Sequence, residues 1–290
     1  MRSTRINLLV HGAIGAVLVW AYWPTLLEAV GRWRDDPQYS HGFLVPIFSA
    51  YLLWRNRKTL AAGADRPRWW GVGLFLVGGL VRLAGYGLYL PWLDLTSLLI
   101  CLAGWAAAAG GWTTLRAALP AILFLGFVLP LPYRVQNALG GNLQRTATVV
   151  STYFLQTLGV PAIAEGNTIV LSENRLGIVE ACNGLSMLVT FFALATGFAI
   201  LVRRPWWDRL ILVASAAPIA VAANVARITL TGALFESSRS NLAHIVFHDV
   251  AGWLMMPFAL VMLFAELEFL RRVIIAKPRR GAGYPRRVGA

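Results

Sequence analysis

Long apolar runs, separated by short polar or glycine-rich breaks, occupy most of the 290-residue chain. A helix that crosses the hydrocarbon core of a bilayer needs roughly 20 mostly apolar residues. Eight runs reach or approach this length, so the pattern predicts an all-α polytopic membrane protein with about eight transmembrane helices. In chain order the predicted spans are Ile6–Leu27, Phe43–Trp54, Trp70–Leu90, Leu95–Ala109, Leu115–Leu131, Leu185–Val202, Leu210–Phe235 and Val250–Leu270.

One sizeable polar segment, residues 132–181, separates the fifth span from the sixth. Its first part, Val135–Leu158, has apolar residues at helical spacing and polar residues opposite them, which predicts an amphipathic helix lying on the bilayer surface or against the bundle. Two extended runs follow, Ala162–Leu171 and Leu176–Val179, with the polar break Ser172-Glu173-Asn174-Arg175 between them. This second part is predicted to form a small β-hairpin.

The distribution of basic residues predicts that both termini lie inside the membrane. Cytoplasmic loops of membrane proteins carry an excess of Lys and Arg. With the N-terminus inside, the inner positions hold most of them, and residues 132–181 lie outside. The inner residues are Arg2, Arg5, Arg55, Arg57, Lys58, Arg66, Arg68, Arg116, Arg203, Arg204, Arg209 and the tail from Arg271 onward.

Composition supports the same class of protein. The chain is 58% hydrophobic and only 13% charged, whereas a soluble domain has roughly 25% charged residues. The net charge of +13 comes from residues clustered between apolar runs, so nucleic-acid binding is not expected. Residues 1–276 are predicted to form one membrane-embedded domain and residues 277–290 a disordered basic cytoplasmic tail. No metal-binding spacing or nucleotide motif is found, so no cofactor is expected.

Cys182 stands where the polar outer segment gives way to the sixth apolar run. A cysteine at or near a helix N-terminus is close to unpaired N–H groups and to the positive end of the helix dipole, and both favour the thiolate. A thiolate is a nucleophile at neutral pH. The plainer alternative is that Cys182 is a small packing residue.

Two other ionisable residues are predicted to reach the depth of Cys182. Arg227 is eighteen residues beyond Arg209, which corresponds to roughly 27 Å of helix and so to the outer edge of the bilayer core. His248 stands at the outer mouth of the eighth span. Asn224 is one turn from Arg227 on the same face of the helix and could orient it.

These residue types suit acyl transfer. Cys182 would attack a carbonyl group, His248 would protonate the leaving amine, and Arg227 would stabilise the oxyanion or bind a carboxylate. Alternatives stay open at this point: His244 competes with His248, and Arg227 could instead reach the outer headgroups. Arg82 and His11 are interpreted as structural partners rather than catalysts.

Several motifs, in order along the chain, resemble those of the exosortase/archaeosortase family of integral-membrane cysteine enzymes. Glu180-Ala181-Cys182-Asn183-Gly184-Leu185 resembles the nucleophile motif, with Asn183 where the commonest form has Ser. The other matching segments are Asp36-Pro37-Gln38-Tyr39-Ser40-His41-Gly42-Phe43-Leu44-Val45-Pro46, Leu129-Pro130-Leu131-Pro132, Gly159-Val160-Pro161, Glu165-Gly166-Asn167, Asn224-Val225-Ala226-Arg227-Ile228, and His248 with Gly252-Trp253.

The resemblance implies catalytic roles for Cys182, Arg227 and His248. It implies a bacterial inner-membrane enzyme whose active site faces the periplasm and whose substrates are secreted proteins. Those substrates would carry a C-terminal sorting tail, made of a short motif such as Pro-Glu-Pro, a transmembrane helix and a basic cluster. The enzyme would cleave near the motif and pass the new carboxyl end to an unknown acceptor, with membrane lipids around it. His41 and the outer hairpin are expected to help form the cleft for the motif.

Two other classes of function are also considered. A transporter or polysaccharide-assembly protein would use Arg227 and Arg82 to bind an anionic substrate, and its Cys182 would not be catalytic. A non-enzymatic envelope scaffold would need no reactivity at Cys182 or His248.

Overall fold

Helices make up most of the described structure. The computed structural model of the protein describes residues 2–63, 68–172, 175–178 and 184–237, together with 258, 260–262, 264–269 and 272. By length and composition, three described helices could cross a membrane, or four if a bent pair counts as one span. The protein is therefore a helical membrane protein, while the total of eight spans and the N-in/C-in orientation stay predictions.

The first apolar run does not form one straight helix, contrary to the expectation for Ile6–Leu27. α1 (Arg2–Ala21) and α2 (Trp23–Asp35) meet at Tyr22 with a bend of 63°. Pro24 explains the break, because proline has no N–H group to donate and disfavours helical backbone in the residue before it. A helix break in an apolar setting leaves carbonyl groups without helical partners, and these must be satisfied elsewhere.

Arg82, in α5 (Trp70–Gly87), provides a hydrogen-bond donor for one of these carbonyl groups. Its Nη2 donates to the carbonyl oxygen of Ala21 at 2.6 Å, and its Nε lies 3.1 Å from a carboxylate oxygen of Asp94. The guanidinium also stands 4.1 Å from the centre of the Tyr22 ring, while Thr25 donates a hydrogen bond to Asp94. Arg82 is thus a structural partner at the break, as its residue type and position predicted.

α5 (Trp70–Gly87) and α6 (Pro91–Phe124) pack closely through glycines. The backbone of α6 is not helical throughout: Gly111 has φ +66° and ψ −150°, a conformation that only glycine adopts readily. Both ends of the 91–128 segment, Pro91 and Val128, line the same cavity. Since a straight helix of this length would be more than 50 Å long, the two halves must run side by side.

Shorter helices pack against the second half of α6. The 3₁₀ helix Pro37–Phe43 leads into α3 (Leu44–Arg55), which is followed by α4 (Arg57–Gly63). At the end of α3, the Asn56 amide donates to the carbonyl oxygen of Ala117 at 2.9 Å. α6 continues into a second 3₁₀ turn, Leu125–Val128.

In its described part, the polar segment 132–181 contains a helix and three short strands. α7 (Tyr133–Thr157) is followed by β1 (Ile163–Glu165), β2 (Thr168–Val170) and β3 (Arg175–Gly177), paired antiparallel in that order. The sequence predicts a two-stranded hairpin, but its first run turns back on itself because Gly166 has φ +61°. The second run then adds a third strand.

α8 (Leu185–Leu201) and α9 (Trp206–Glu236) form an antiparallel pair. Small residues of α9, such as Ala216 and Ala220, pack against Phe191 and Ala195 of α8. Most of the predicted eighth span, Val250–Leu270, lies outside the described residues, and so does the predicted boundary between residues 276 and 277. Within its described part, Glu266 accepts a hydrogen bond of 2.5 Å from Ser215 of α9.

Two glycines on α5 are expected to respond to alanine in opposite directions. A methyl group at Gly71 would lie 2.4 Å from the backbone nitrogen of Ala108, whereas one at Gly73 would meet nothing within 4 Å. Gly71→Ala should therefore lower stability by about 1–3 kcal/mol through overpacking. Gly73→Ala should raise it by up to about 1 kcal/mol, through helix propensity. Thermal unfolding of both variants in detergent would test this, and equal shifts would contradict the close α5–α6 contact.

Candidate functional site

The structure describes only part of the predicted site. Gly184, Asn224, Arg227 and His41 lie within the described residues. The other predicted site residues, and the competing His244, fall outside them. These are Glu180, Cys182, Asn183, His248 and Gly252. The convergence of Cys182, Arg227 and His248 therefore stays a prediction.

Arg227 is buried in α9, with 9% of its surface exposed. Its Nη2 donates a hydrogen bond of 2.9 Å to the side-chain oxygen of Asn224, one helical turn earlier and itself only 2% exposed. A cation in an apolar helix is costly unless it is paired or lines a polar cavity. The Asn224 amide offsets part of that cost and orients the guanidinium.

Gly184 brings the start of α8 against this pair. It caps the helix in a left-handed conformation, with φ +81°. A methyl group at Gly184 would lie 2.9 Å from the Asn224 amide nitrogen, so the two groups are in direct contact. Cys182 is two residues before Gly184 in the chain. Along the chain, Cys182 is thus only two residues from the glycine beside Asn224, the residue that holds Arg227.

α7 and the three-stranded sheet cover α9 on either side of Arg227. Val225 and Ile228 belong to one apolar cluster with Ile169 of β2 and Ile178 after β3. The Ser151 hydroxyl of α7 donates to the carbonyl oxygen of Val225 at 3.3 Å. The sheet and α7 therefore form a roof over the end of α9 that carries Arg227.

His41 is buried at the same end of the bundle, with only 3% of its surface exposed. Its Nε2 lies 3.2 Å from the carbonyl oxygen of Phe127, and its Nδ1 lies 3.3 Å from the hydroxyl of Thr190 in α8. Because a carbonyl can only accept, Nε2 carries the proton and Nδ1 accepts from Thr190. A substrate could bind a ring nitrogen of His41 only by displacing one of these partners.

Burial lowers the pKa of His41 below its usual value, because the imidazolium is disfavoured away from water; the bond to the Phe127 carbonyl opposes this in part. The neutral ring joins three pieces of chain: the 3₁₀ helix Pro37–Phe43, the turn after α6 and the second turn of α8. Sequence reasoning did not single out Thr190, although a hydroxyl inside the apolar run Leu185–Leu201 was the available signal.

This geometry suits the binding of a negatively charged group by Arg227, close to the start of α8. The guanidinium of Arg227 offers forked donors for a carboxylate or an oxyanion. No group of three or more His, Cys, Asp or Glu suited to a metal ion occurs in the part of the chain that the structure describes.

The fold and the site define a helical membrane protein in which α7 and the small sheet cover a buried, oriented arginine. Residues 33–265 match the family model of the transmembrane exosortases, Exosortase_EpsH. The chain belongs to this family, as the motif resemblance predicted. Neither the curated proteins nor the solved structures contain a match to it. Exosortases are membrane protein-sorting enzymes, generally cysteine peptidases or transpeptidases, that act on secreted proteins with sorting signals.

Alanine at Gly184 should be more disruptive than alanine at Gly159. Both glycines have φ +81°, but only Gly184 has a neighbour where the methyl group would stand. In each variant the free energy of unfolding should fall by about 1–2 kcal/mol, because a side chain is placed on left-handed backbone. In Gly184→Ala it should fall by about 1–3 kcal/mol more, because the added methyl group presses on Asn224. Thermal unfolding in detergent measures the difference, and equal losses would contradict the Gly184–Asn224 contact.

Stability should depend on pH through His41. Its pKa is lower in the folded protein than the usual 6.5, so the unfolded chain binds more protons between the two values. The free energy of unfolding should therefore fall as pH drops below about 6.5 towards the lower folded pKa. His41→Gln, which keeps a hydrogen-bonding side chain, should show a shallower fall. Unfolding of both proteins between pH 5 and 8 tests this, and identical slopes would refute it.

Proposed function

We propose that this exosortase is a membrane-embedded thiol transpeptidase or endopeptidase that removes the C-terminal sorting tail of secreted proteins. The observation that carries the proposal is the contact of Gly184 with Asn224, which in turn holds Arg227. This contact lies two residues after Cys182 in the chain. It therefore favours an arrangement in which the sulfur and the guanidinium face the same substrate carbonyl.

In the first half of the proposed reaction, the Cys182 thiolate attacks the carbonyl carbon of the scissile peptide bond. The nearby start of α8, at Leu185, favours the thiolate through its free N–H groups. The tetrahedral intermediate carries a negative oxygen, and Arg227 donates hydrogen bonds to it. The C–N bond then breaks, His248 gives a proton to the departing amine, and the substrate remains attached as a thioester.

In the second half, an acceptor nucleophile or water attacks the thioester carbonyl. His248 takes the proton from the attacking group, and the C–S bond breaks to restore the Cys182 thiolate. The acceptor decides whether the outcome is transfer or hydrolysis. None of these steps requires a cofactor.

The remaining site residues have supporting roles in this proposal. Asn224 orients Arg227, and Gly184 allows the close approach of the two helices. Glu180 and Asn183 flank the nucleophile in the chain. Gly252, one turn after His248 in the predicted eighth span, would leave room for a neighbouring helix or the substrate.

His41 is proposed as a positioning residue. Its bonds to Phe127 and Thr190 tie the second turn of α8 to the end of α6. Holding α8 in place also holds the backbone that leads to Cys182. This role explains why His41 is buried and why both of its ring nitrogens already have partners. In this proposal His41 does not contact the substrate directly.

The proposed substrates are secreted proteins whose tail has a short motif, a transmembrane helix and a basic cluster. Their helix would dock laterally in the bilayer with the motif beside Cys182 and the basic end inside. The proposed location is a bacterial inner membrane, with the active site towards the periplasm. The transporter alternative is disfavoured because Arg82, one of its two anion-binding residues, is occupied by Asp94, Ala21 and Tyr22.

Replacing Cys182 should abolish tail removal. Wild-type enzyme and Cys182→Ala would each be co-expressed with a secreted protein that carries such a tail, and the mass of the product would be measured. The proposal predicts processing by the wild type and a loss of at least about a thousandfold in the variant, because the variant lacks the proposed nucleophile.

The other cysteine provides a matched control. Cys101 is buried in α6, with its sulfur 3.5 Å from the Tyr22 hydroxyl, far from α8 in the chain. Cys101→Ser should retain processing if it folds. Equal processing by Cys182→Ala and wild type would refute the thiol mechanism.

A further inference from the structure

A cleft that the proposed reaction does not involve lies near the candidate site. It has a volume of about 520 Å³ and lies between the end of α2, the α5–α6 loop and the start of α7. The lining residue Pro130 is three residues after Phe127, whose carbonyl group His41 contacts, and His41 also contacts Thr190 of α8. The cleft therefore lies near the described part of the candidate site. Nothing in the thiol mechanism uses this cleft.

The cleft carries two positive charges. Arg32 of α2 and Arg134 of α7 both line it. Arg32 pairs with Glu28 at 2.6 Å, but both side chains are substantially exposed, so this pair is weak. Arg134 is exposed and makes no salt bridge with any residue that the structure describes. Two guanidinium groups around one opening repel each other, and an anion between them would relieve that repulsion.

Aromatic rings surround these charges. Tyr89, Trp92 and Tyr133 line the same cleft, and Tyr89 is 90% exposed. Tyr89 also has φ +54°, the one positive φ at a described residue other than glycine. Strained backbone of this kind is enriched at ligand-binding positions. Aromatic residues at helix ends are typical of the boundary between hydrocarbon and headgroups.

The walls of the cleft do not favour an extended peptide. Pro91, Pro130 and Pro132 line it, and proline has no backbone N–H group. A peptide that binds as an added strand needs a row of such donors. Leu90 and Leu131 supply apolar surface instead. Guanidinium groups beside apolar surface, at the ends of apolar helices, suit a phosphate group that carries acyl chains.

We propose that this cleft binds the headgroup phosphate of an anionic phospholipid. Arg32 and Arg134 would share the phosphate oxygens, and the rings of Trp92 and Tyr133 would pack against the glycerol and upper acyl chains. A bound lipid would fix the start of α7, which forms part of the roof over Arg227. The proposal does not depend on the chemistry of Cys182.

Binding would be measured on the full-length protein in detergent by native mass spectrometry, with added phosphatidylglycerol or phosphatidylcholine. The wild type should bind phosphatidylglycerol more tightly than phosphatidylcholine. One arginine near an anionic lipid is worth about fivefold in affinity, so Arg32→Gln with Arg134→Gln should weaken binding by about thirtyfold. Arg145→Gln removes the same charge from α7 outside the cleft and should bind as the wild type does, as should Cys182→Ala.

A measurement on the wild type alone guards against misfolding of the double variant. Phosphatidylglycerol should raise its thermal unfolding temperature more than phosphatidylcholine or inorganic phosphate does. Equal stabilisation by the two lipids would overturn the proposal. It would also be overturned if Arg145→Gln and the double variant lost phosphatidylglycerol binding to the same extent. Stabilisation by inorganic phosphate alone would assign the site to a free anion. Displacement by an acidic proline-containing peptide, but not by lipid, would assign it to a peptide.

Discussion

The hydrogen bond between Asn224 and Arg227 is the interaction on which the candidate site depends. α9 is apolar enough to cross a membrane, and within it a nearly buried guanidinium would be strongly unfavourable without polar partners. Asn224 meets this requirement with its oxygen, while its nitrogen faces Gly184. One amide side chain therefore orients the cation and also sets where α8 begins. A glycine is required at 184 because the backbone there is left-handed and any side chain would press on the amide.

The same end of the bundle is assembled by polar contacts, whereas its helices pack elsewhere through small residues. His41 joins the turn after α6 to α8, and Ser151 joins α7 to α9. In a membrane, apolar surfaces gain little by leaving lipid, so close packing and internal hydrogen bonds must specify how helices meet. The helix break at Tyr22 obeys the same rule, because Arg82 satisfies the carbonyl group of Ala21.

The class of protein and its family could be predicted from the sequence, because each follows from one pattern along the chain. Long apolar runs predicted the helical membrane class, and the motifs predicted the family. The break at Tyr22 was not predicted, because the length of the apolar run indicates one helix although Pro24 lies inside it. The third strand was missed because the turn at Gly166 stands inside one apolar run. Thr190 was missed because its role requires His41, 149 residues away, and pairing across the bundle leaves no local pattern.

Polar residues inside apolar runs therefore carry more information about this protein than the runs themselves. The length of a run says only that a helix fits the bilayer, and many arrangements of such helices would satisfy it. Asn224, Arg227, Thr190 and Arg82 each need a partner, and each partner lies on a different segment or turn. Satisfying all of them at once leaves few ways to assemble the bundle. The polar groups that specify the fold are thus adjacent to those proposed for the chemistry, since both need the same protected, polar end of the bundle.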